Sequence, residues 1–209
     1  MLLALVLFEP SYGWRVREWL APYGASRTPD DPGVAAQNEL LKAELAQTSS
    51  ILAQVPQAPK NYLAAMVYSR YPLSFKNELL VNAGAKDGVT EGRPVLFQGI
   101  LIGSVEKVFD DSALVRTVFD SDFKMPVRIG AKGYDGLFIG GVYPKVASIP
   151  KSAAVSQGDI VYAAAAGFPY GAPVAVIDST STSADNLFTE AALSFAYDAS
   201  AIQAVLISK

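Results

Sequence analysis

The stretch Pro94-Val95-Leu96-Phe97-Gln98-Gly99-Ile100-Leu101-Ile102-Gly103-Ser104-Val105 holds two short apolar runs joined by a Gln-Gly pair. A β-type run, a tight reversal and a second β-type run form the pattern of a β-hairpin. The same grammar repeats on both sides of it. Upstream lie β-type runs at 62–68 and 78–82, then the segment 84–92, rich in glycine and carrying the turn Lys86-Asp87-Gly88. Downstream the hairpin's second strand runs to 108, and further runs occupy 113–119 and 125–129. Tyr134-Asp135-Gly136 reads as another hairpin turn before 137–139, and 146–149, 160–163, 173–177, 192–196 and 201–207 complete the series. Roughly a dozen short strands with no long helical window among them indicate a sandwich or barrel. Closure into small barrels removes the exposed edges such strands otherwise present, and two small barrels fit the residue count better than one large one. The expected fold is mainly β, with a short N-terminal helical coiled coil followed by two small β-barrel-like subdomains. The first subdomain is placed at 57–130, which 197–209 could complete, and the second at 131–196.

Ahead of the strands the period changes. Val34, Asn38, Leu41, Leu45, Thr48, Leu52 and Val55 recur at alternating steps of four and three. That is the a/d seam of a heptad repeat, held for about three heptads. Asn38 within the seam disfavours out-of-register pairing, because only matched amides satisfy one another. Self-association through Asn38, Leu41, Leu45 and Leu52 is therefore expected of a coiled-coil helix over 34–56. So short and partly polar a seam needs tethering or adjoining domains to raise its effective concentration. The alternative is a lone amphipathic helix packed on the following domain. Pro56 and Pro59 end the helical pattern.

Residues 1–33 read as a membrane-proximal segment. Met1 to Phe8 is an apolar run that Glu9, Pro10 and Gly13 stop, and a bilayer-spanning helix needs roughly 20 such residues. The run is read as the outer end of a transmembrane helix, the alternative being a hydrophobic arm packed on its own protein. Trp14 and Trp19 mark a short interfacial helix, and Thr28 to Gly33 a linker.

Composition narrows the chemistry. The chain has 209 residues, a net charge of −3, no histidine and no cysteine. A Ser-His-Asp triad, a thiolate nucleophile, a disulfide framework and thiolate metal sites are thereby excluded. The acidic balance gives no reason to expect nucleic acid. Phosphate-cradling and nucleophile-elbow motifs are absent from the sequence. Asp110, Asp111, Asp120 and Asp122 lack the ligand spacing of a calcium loop and read as solvated turn carboxylates. Lys151 and Ser152 are no dyad, since adjacent strand residues point to opposite faces. Glycines 84, 88, 92, 99, 103, 136 and 171 read as turn or bulge positions, and 179–183 as a flexible Ser/Thr loop. No enzyme activity, cofactor or metal is expected.

The residues resemble a known family. Val81-Asn82-Ala83-Gly84-Ala85-Lys86-Asp87-Gly88-Val89, then Gly92-Arg93-Pro94-Val95 and Gly99-Ile100-Leu101-Ile102-Gly103-Ser104-Val105, are similar to the glycine-bounded hairpin of the rod shape-determining protein MreC family. Gly158-Asp159-Ile160-Val161 and Phe168-Pro169-Tyr170-Gly171-Ala172-Pro173-Val174 resemble two later elements of that pattern, in the same order. The chain departs from it at Ala163 to Ala166, where the family has Thr-Ser-Gly, and at Ala175, where it has a final glycine. The resemblance implies a non-catalytic scaffold of the bacterial elongation machinery, anchored in the inner membrane with its bulk facing the periplasm or cell exterior. It also implies a dimer or filament, and contacts with a class B penicillin-binding transpeptidase and with MreD during lateral peptidoglycan synthesis. Phe168 and Tyr170 are the candidate partner surface, the alternative being that their loop packs on its own barrel. Two other readings stay open: a periplasmic adaptor of an export system, which usually carries a longer helical hairpin between barrel halves, and a double β-barrel hydrolase.

Overall fold

The computed structural model describes residues 32–54, 61–70 and 77–209. All but the last two residues of the membrane-proximal segment expected at 1–33, and the seam residue Val55, lie outside the described residues. The chain divides into two compact units, Met1–Gln47 and Thr48–Lys209. A single α-helix, α1 (Pro32–Gln54), is found among the described residues. It begins on a proline, whose fixed φ and missing N–H suit a first helical turn. No helix among the described residues is long and apolar enough to cross a membrane.

Twelve strands follow. They are β1 (Tyr62–Arg70), β2 (Glu78–Val81), β3 (Pro94–Phe97), β4 (Ile100–Val108), β5 (Ala113–Thr117), β6 (Lys124–Ile129), β7 (Tyr134–Ile139), β8 (Lys145–Pro150), β9 (Ile160–Ala163), β10 (Pro173–Thr182), β11 (Phe188–Ser194) and β12 (Ala204–Ser208). They close into two barrels, ordered β1-β12-β3-β4-β5-β2 and β10-β11-β8-β7-β6-β9. The molecule is therefore mainly β, with two small closed barrels. β12 returns from the C-terminus to pair with β1 and β3. β6, which the sequence reading put at the end of the first subdomain, pairs with β7 and β9 in the second barrel.

Local chemistry explains the hairpin that decides the fold. Gln98 (φ 50°) and Gly99 (φ 83°) both adopt the left-handed region, the requirement of a two-residue reversal matched to strand twist. β6 shows the simplest strand pattern: Met125, Val127 and Ile129 are buried, and Lys124, Pro126 and Arg128 face solvent. β3 is different, with all four residues buried. Its Val95 and Phe97 fill the first barrel, while Leu96 joins Leu101 and Leu206 in the core cluster of the second barrel. The two barrels thus meet through apolar side chains, and a strand between two cores has no polar face.

Three local readings are corrected. Tyr134-Asp135-Gly136 is part of β7; the reversal before it is at 130–133, where Gly130 (φ 63°) and Gly133 (φ 68°) are left-handed. Gly136 is small because a Cβ there would lie 2.5 Å from Val146 Cγ1. Gly103 likewise sits within β4, where a Cβ would lie 2.1 Å from the Arg116 carbonyl oxygen. Second, 179–182 is strand, paired from Ser179↔Ala192 to Thr182↔Thr189. Backbone pairing to β11 and the extended preference of threonine outweigh a loop-like composition. Third, Asp120 is not solvated. It is 2% exposed, and its carboxylate accepts hydrogen bonds from the amides of Asn77 (3.1 Å) and Asp122 (2.9 Å).

Candidate functional site

Two surfaces carry the residues singled out from sequence. On α1, Asn38, Leu41 and Leu45 are exposed, Leu41 at 54% and Leu45 at 69%. Leu52 lies on the same helix. Leu40, at 69%, widens the apolar face beyond the seam. Leucines in water on a helix cost free energy until another surface covers them. Nearby charge is light: Lys42 pairs with Glu39 at 2.9 Å on the solvent side. Within the second unit the helix end is tied down, since Gln54 Nε2 donates to the Ala201 carbonyl (3.3 Å) and its Oε1 accepts from the Gln203 amide (2.9 Å).

The second surface is a groove of about 720 Å³ on the second barrel, with Arg128 and Tyr162 along it, the turn 130–133 at one side and the loop 164–171 at the other. The loop is two consecutive reversals: Phe168 N donates to Ala165 O (3.2 Å) and Ala172 N to Pro169 O (3.1 Å). Ala163 to Ala165 keep the groove open by presenting only methyl groups. The structure separates the two aromatics paired in the sequence reading. Phe168 is partly buried against the barrel's own core, whereas Tyr170 is 93% exposed. The charged side chains along it are Arg128, Lys132 and Asp135, with Arg128 Nε 3.7 Å from the Asp135 carboxylate. The groove therefore offers aromatic rings, small apolar ground and two cations, one of them beside a carboxylate, a set suited to binding.

A third region was not marked by the sequence. Segments 118–123 and 195–203 both connect the barrels, and their aromatics cluster where they run. Phe119 meets Phe195 at 4.7 Å with the rings tilted by 56°, Tyr197 meets Phe195 at 5.9 Å, and Phe97 meets Tyr197 at 6.0 Å. Burial pushes the Tyr197 phenol well above its usual range, so it stays neutral at all physiological pH values. The signal that could have located this junction is the absence of polar alternation in β3 and β12. No group of three or more acidic, histidine or cysteine side chains that could hold a metal occurs among the described residues.

Comparison with known proteins gives these surfaces a setting. Residues 67–209, more than half of the chain, match the family described as "Rod shape-determining protein MreC, barrel core". The Cell shape-determining protein MreC of Streptococcus pneumoniae is 32% identical over 158 residues, which cover 69% of this chain and 56% of that protein. The chain spans only 34 to 56% of the length of the curated relatives it matches. Among solved structures, the major periplasmic domain of the cell shape-determining filament MreC is 27% identical, with a TM-score of 0.63 over 74% of this chain and 99% of that one. The MreC of Helicobacter pylori, solved in complex with Penicillin-Binding Protein (PBP2), is 17% identical and shares the fold, with a TM-score of 0.58 over 70% of this chain and 96% of that one. By the match of its barrels, this chain belongs to the MreC family of rod shape-determining proteins.

Proposed function

We propose that the chain serves bacterial cell shape as a non-catalytic scaffold of the elongation machinery. It is anchored in the inner membrane with its barrels on the periplasmic side. It self-associates through Asn38, Leu41, Leu45 and Leu52. It docks a class B penicillin-binding transpeptidase through Tyr170, with Phe168 fixing the loop beneath it, and MreD is its partner at the membrane. The domain division follows: 1–33 membrane-proximal, 34–56 coiled coil, and two barrel subdomains beyond. The observation that carries the reading is the exposed leucine face of α1 on a chain whose barrels match the family. The periplasmic domain solved for one relative and the complex solved for another support the compartment and the partner.

Sedimentation of the purified chain tests self-association. Leu45→Asp puts a charge into the paired seam and is expected to raise the dimer dissociation constant by roughly tenfold or more. A wild-type chain that stays monomeric at high micromolar concentration rules the reading out. Partner docking is tested by capture of the transpeptidase on immobilised protein. Tyr170→Ala is expected to weaken capture about tenfold, the loss typical of an exposed aromatic anchor, without changing the melting temperature. Equal capture by both proteins would move the docking site elsewhere.

A further inference from the structure

β10 outruns its neighbour on one side. Its pairing with β9 ends at Val176↔Ile160, after which Ile177 N donates to Asp159 O and Gly158 N to Ile177 O, each at 2.9 Å. On the other side the pairing with β11 continues to Thr182↔Thr189. Asp178 to Thr182 are all exposed, so this end of the β10–β11 hairpin stands in solvent as an arm. Ser183 N donates to Phe188 O at 2.9 Å, which fixes the register. Ser179, Ser181 and Ser183 turn their amides and carbonyls to β11, and Thr180 and Thr182 turn theirs outward. No strand or loop among the described residues takes up those outward groups. Neither a lysine nor a proline guards them.

The arm lies in a part of the chain that is acidic throughout. Residues 152–208 contain Asp159, Asp178, Asp185, Glu190 and Asp198, and no lysine or arginine. Glu190 has a partner in Lys145 at 2.8 Å, and Asp198 accepts from the Ser200 amide at 2.8 Å. Asp178 and Asp185 flank the open backbone groups, one before Thr180 and one after Thr182. Among the described residues no cation stands within ion-pair distance of either. Lys151 is turned to Asn186, donating to its Oδ1 at 2.8 Å. The Ser183 hydroxyl first, and the Leu187 amide second, donate to the Asp185 carboxyl and hold it below its usual 3.8. It therefore stays charged through neutral pH.

We infer that the outer edge of β10 docks a basic extended segment of another protein, which adds as a strand beside Thr180 and Thr182. Each of these two residues offers one N–H and one C=O, about four backbone bonds in all. Backbone bonds are the same for any sequence, so charge does the selecting. Lysine or arginine near the ends of the incoming strand meets Asp178 and Asp185. An acidic strand is repelled, and a second copy would bring two acidic, cation-free edges together. An apolar strand finds no apolar row, because 179–183 are serine and threonine. The groove beside Tyr170 carries Arg128 and Lys132, so it does not compete for a basic segment.

The inference goes beyond the pairing of α1 and the docking at Tyr170 and depends on neither. The test is an anisotropy titration of the full chain with a fluorescein-labelled octapeptide of alternating threonine and valine between two pairs of lysines. Saturable binding is expected, and glutamate in place of lysine should weaken it roughly tenfold or more. Methylating the four central backbone nitrogens of the peptide should weaken it as much, since that removes bonds and keeps charge. Thr180→Pro deletes an outward N–H, leaves the bonds to β11 in place and should also cost roughly tenfold. Asp178→Lys should weaken the lysine peptide and strengthen the glutamate peptide. Tyr170→Ala should change nothing. Should Thr180→Pro fold poorly by circular dichroism, hydrogen exchange of the wild type locates the peptide: the Thr180 and Thr182 amides should slow when it is bound. No saturable binding of the lysine peptide overturns the inference, as does equal binding of the glutamate or methylated peptide. Binding that Asp178→Lys leaves unchanged, that Tyr170→Ala abolishes, or that does not slow exchange at Thr180 and Thr182 places the peptide elsewhere and also overturns it. A failure of helix pairing or of transpeptidase docking would show in sedimentation and capture and leave this titration as it is.

Discussion

Phe138→Ala is expected to lower the free energy of unfolding by roughly 3–5 kcal/mol, the range for removing a buried aromatic. Phe138 is fully buried in β7, opposite Met125 on one side and Val146 on the other. Its ring meets Phe123 edge-on at 5.9 Å and 88°. A closed six-stranded barrel has little freedom to collapse around the space left behind, so the cavity cost adds to the lost transfer energy. The loss should not stay in one barrel. The cluster that holds Phe138 also contains Leu96, Leu101 and Leu206 from β3, β4 and β12 of the other barrel. Urea denaturation followed by far-ultraviolet circular dichroism should therefore show a single transition moved to lower denaturant with its slope retained. A change under about 1 kcal/mol would mean the ring is not packed as described. Two resolved transitions would mean the barrels unfold independently.

That shared core marks the boundary between what the sequence carries and what it does not. The hairpin 94–105 is legible because its information is local: Gln98 and Gly99 set the reversal, and the runs beside them have strand chemistry. Two small barrels are legible for a related reason, since many short strands with turn residues between them leave few other closed solutions. Barrel membership is not local. Nothing around Lys124–Ile129 says that its partners are β7 and β9, and only chain return across the whole body brings β12 to β1. Asp-Gly at 135–136 imitates a turn, yet the glycine is there because Val146 occupies the space a side chain would need. The candidate surfaces divide the same way. The leucine spacing on α1 is a periodic signal, so its exposed face could be found without coordinates. Phe168 and Tyr170 stand two residues apart in one loop, and only the fold shows that one ring turns inward and the other into solvent.

Asp120→Ala is expected to cost roughly 3 kcal/mol or more, because removing a buried carboxylate strands the groups that pointed at it. The side chain is 2% exposed on the segment that leaves β5 for the second barrel. It accepts from the amides of Asn77 and Asp122, and Arg116 Nε stands 3.8 Å away. Asn77 is bound to the same segment by further bonds: its Nδ2 donates to Phe119 O at 2.7 Å, and its carbonyl accepts from Thr117 Oγ1 at 2.8 Å. Two amides would lose their acceptor in the alanine variant. Arg116 would not be stranded, because its guanidinium also pairs with Glu106, which keeps the cost below that of an isolated buried charge. Asp120→Asn should be milder, by about 1–2 kcal/mol, since its one carbonyl oxygen can still accept from one amide. The ordering alanine worse than asparagine, measured by urea denaturation, separates lost hydrogen bonds from lost charge. Equal costs would place the whole effect in the charge and its attraction to Arg116. The consequence reaches the junction as well: Asp120 directly follows Phe119, whose ring packs against Phe195. Loosening the bonds of Asp120 should increase hydrogen exchange at 118–123 before it increases exchange in either barrel.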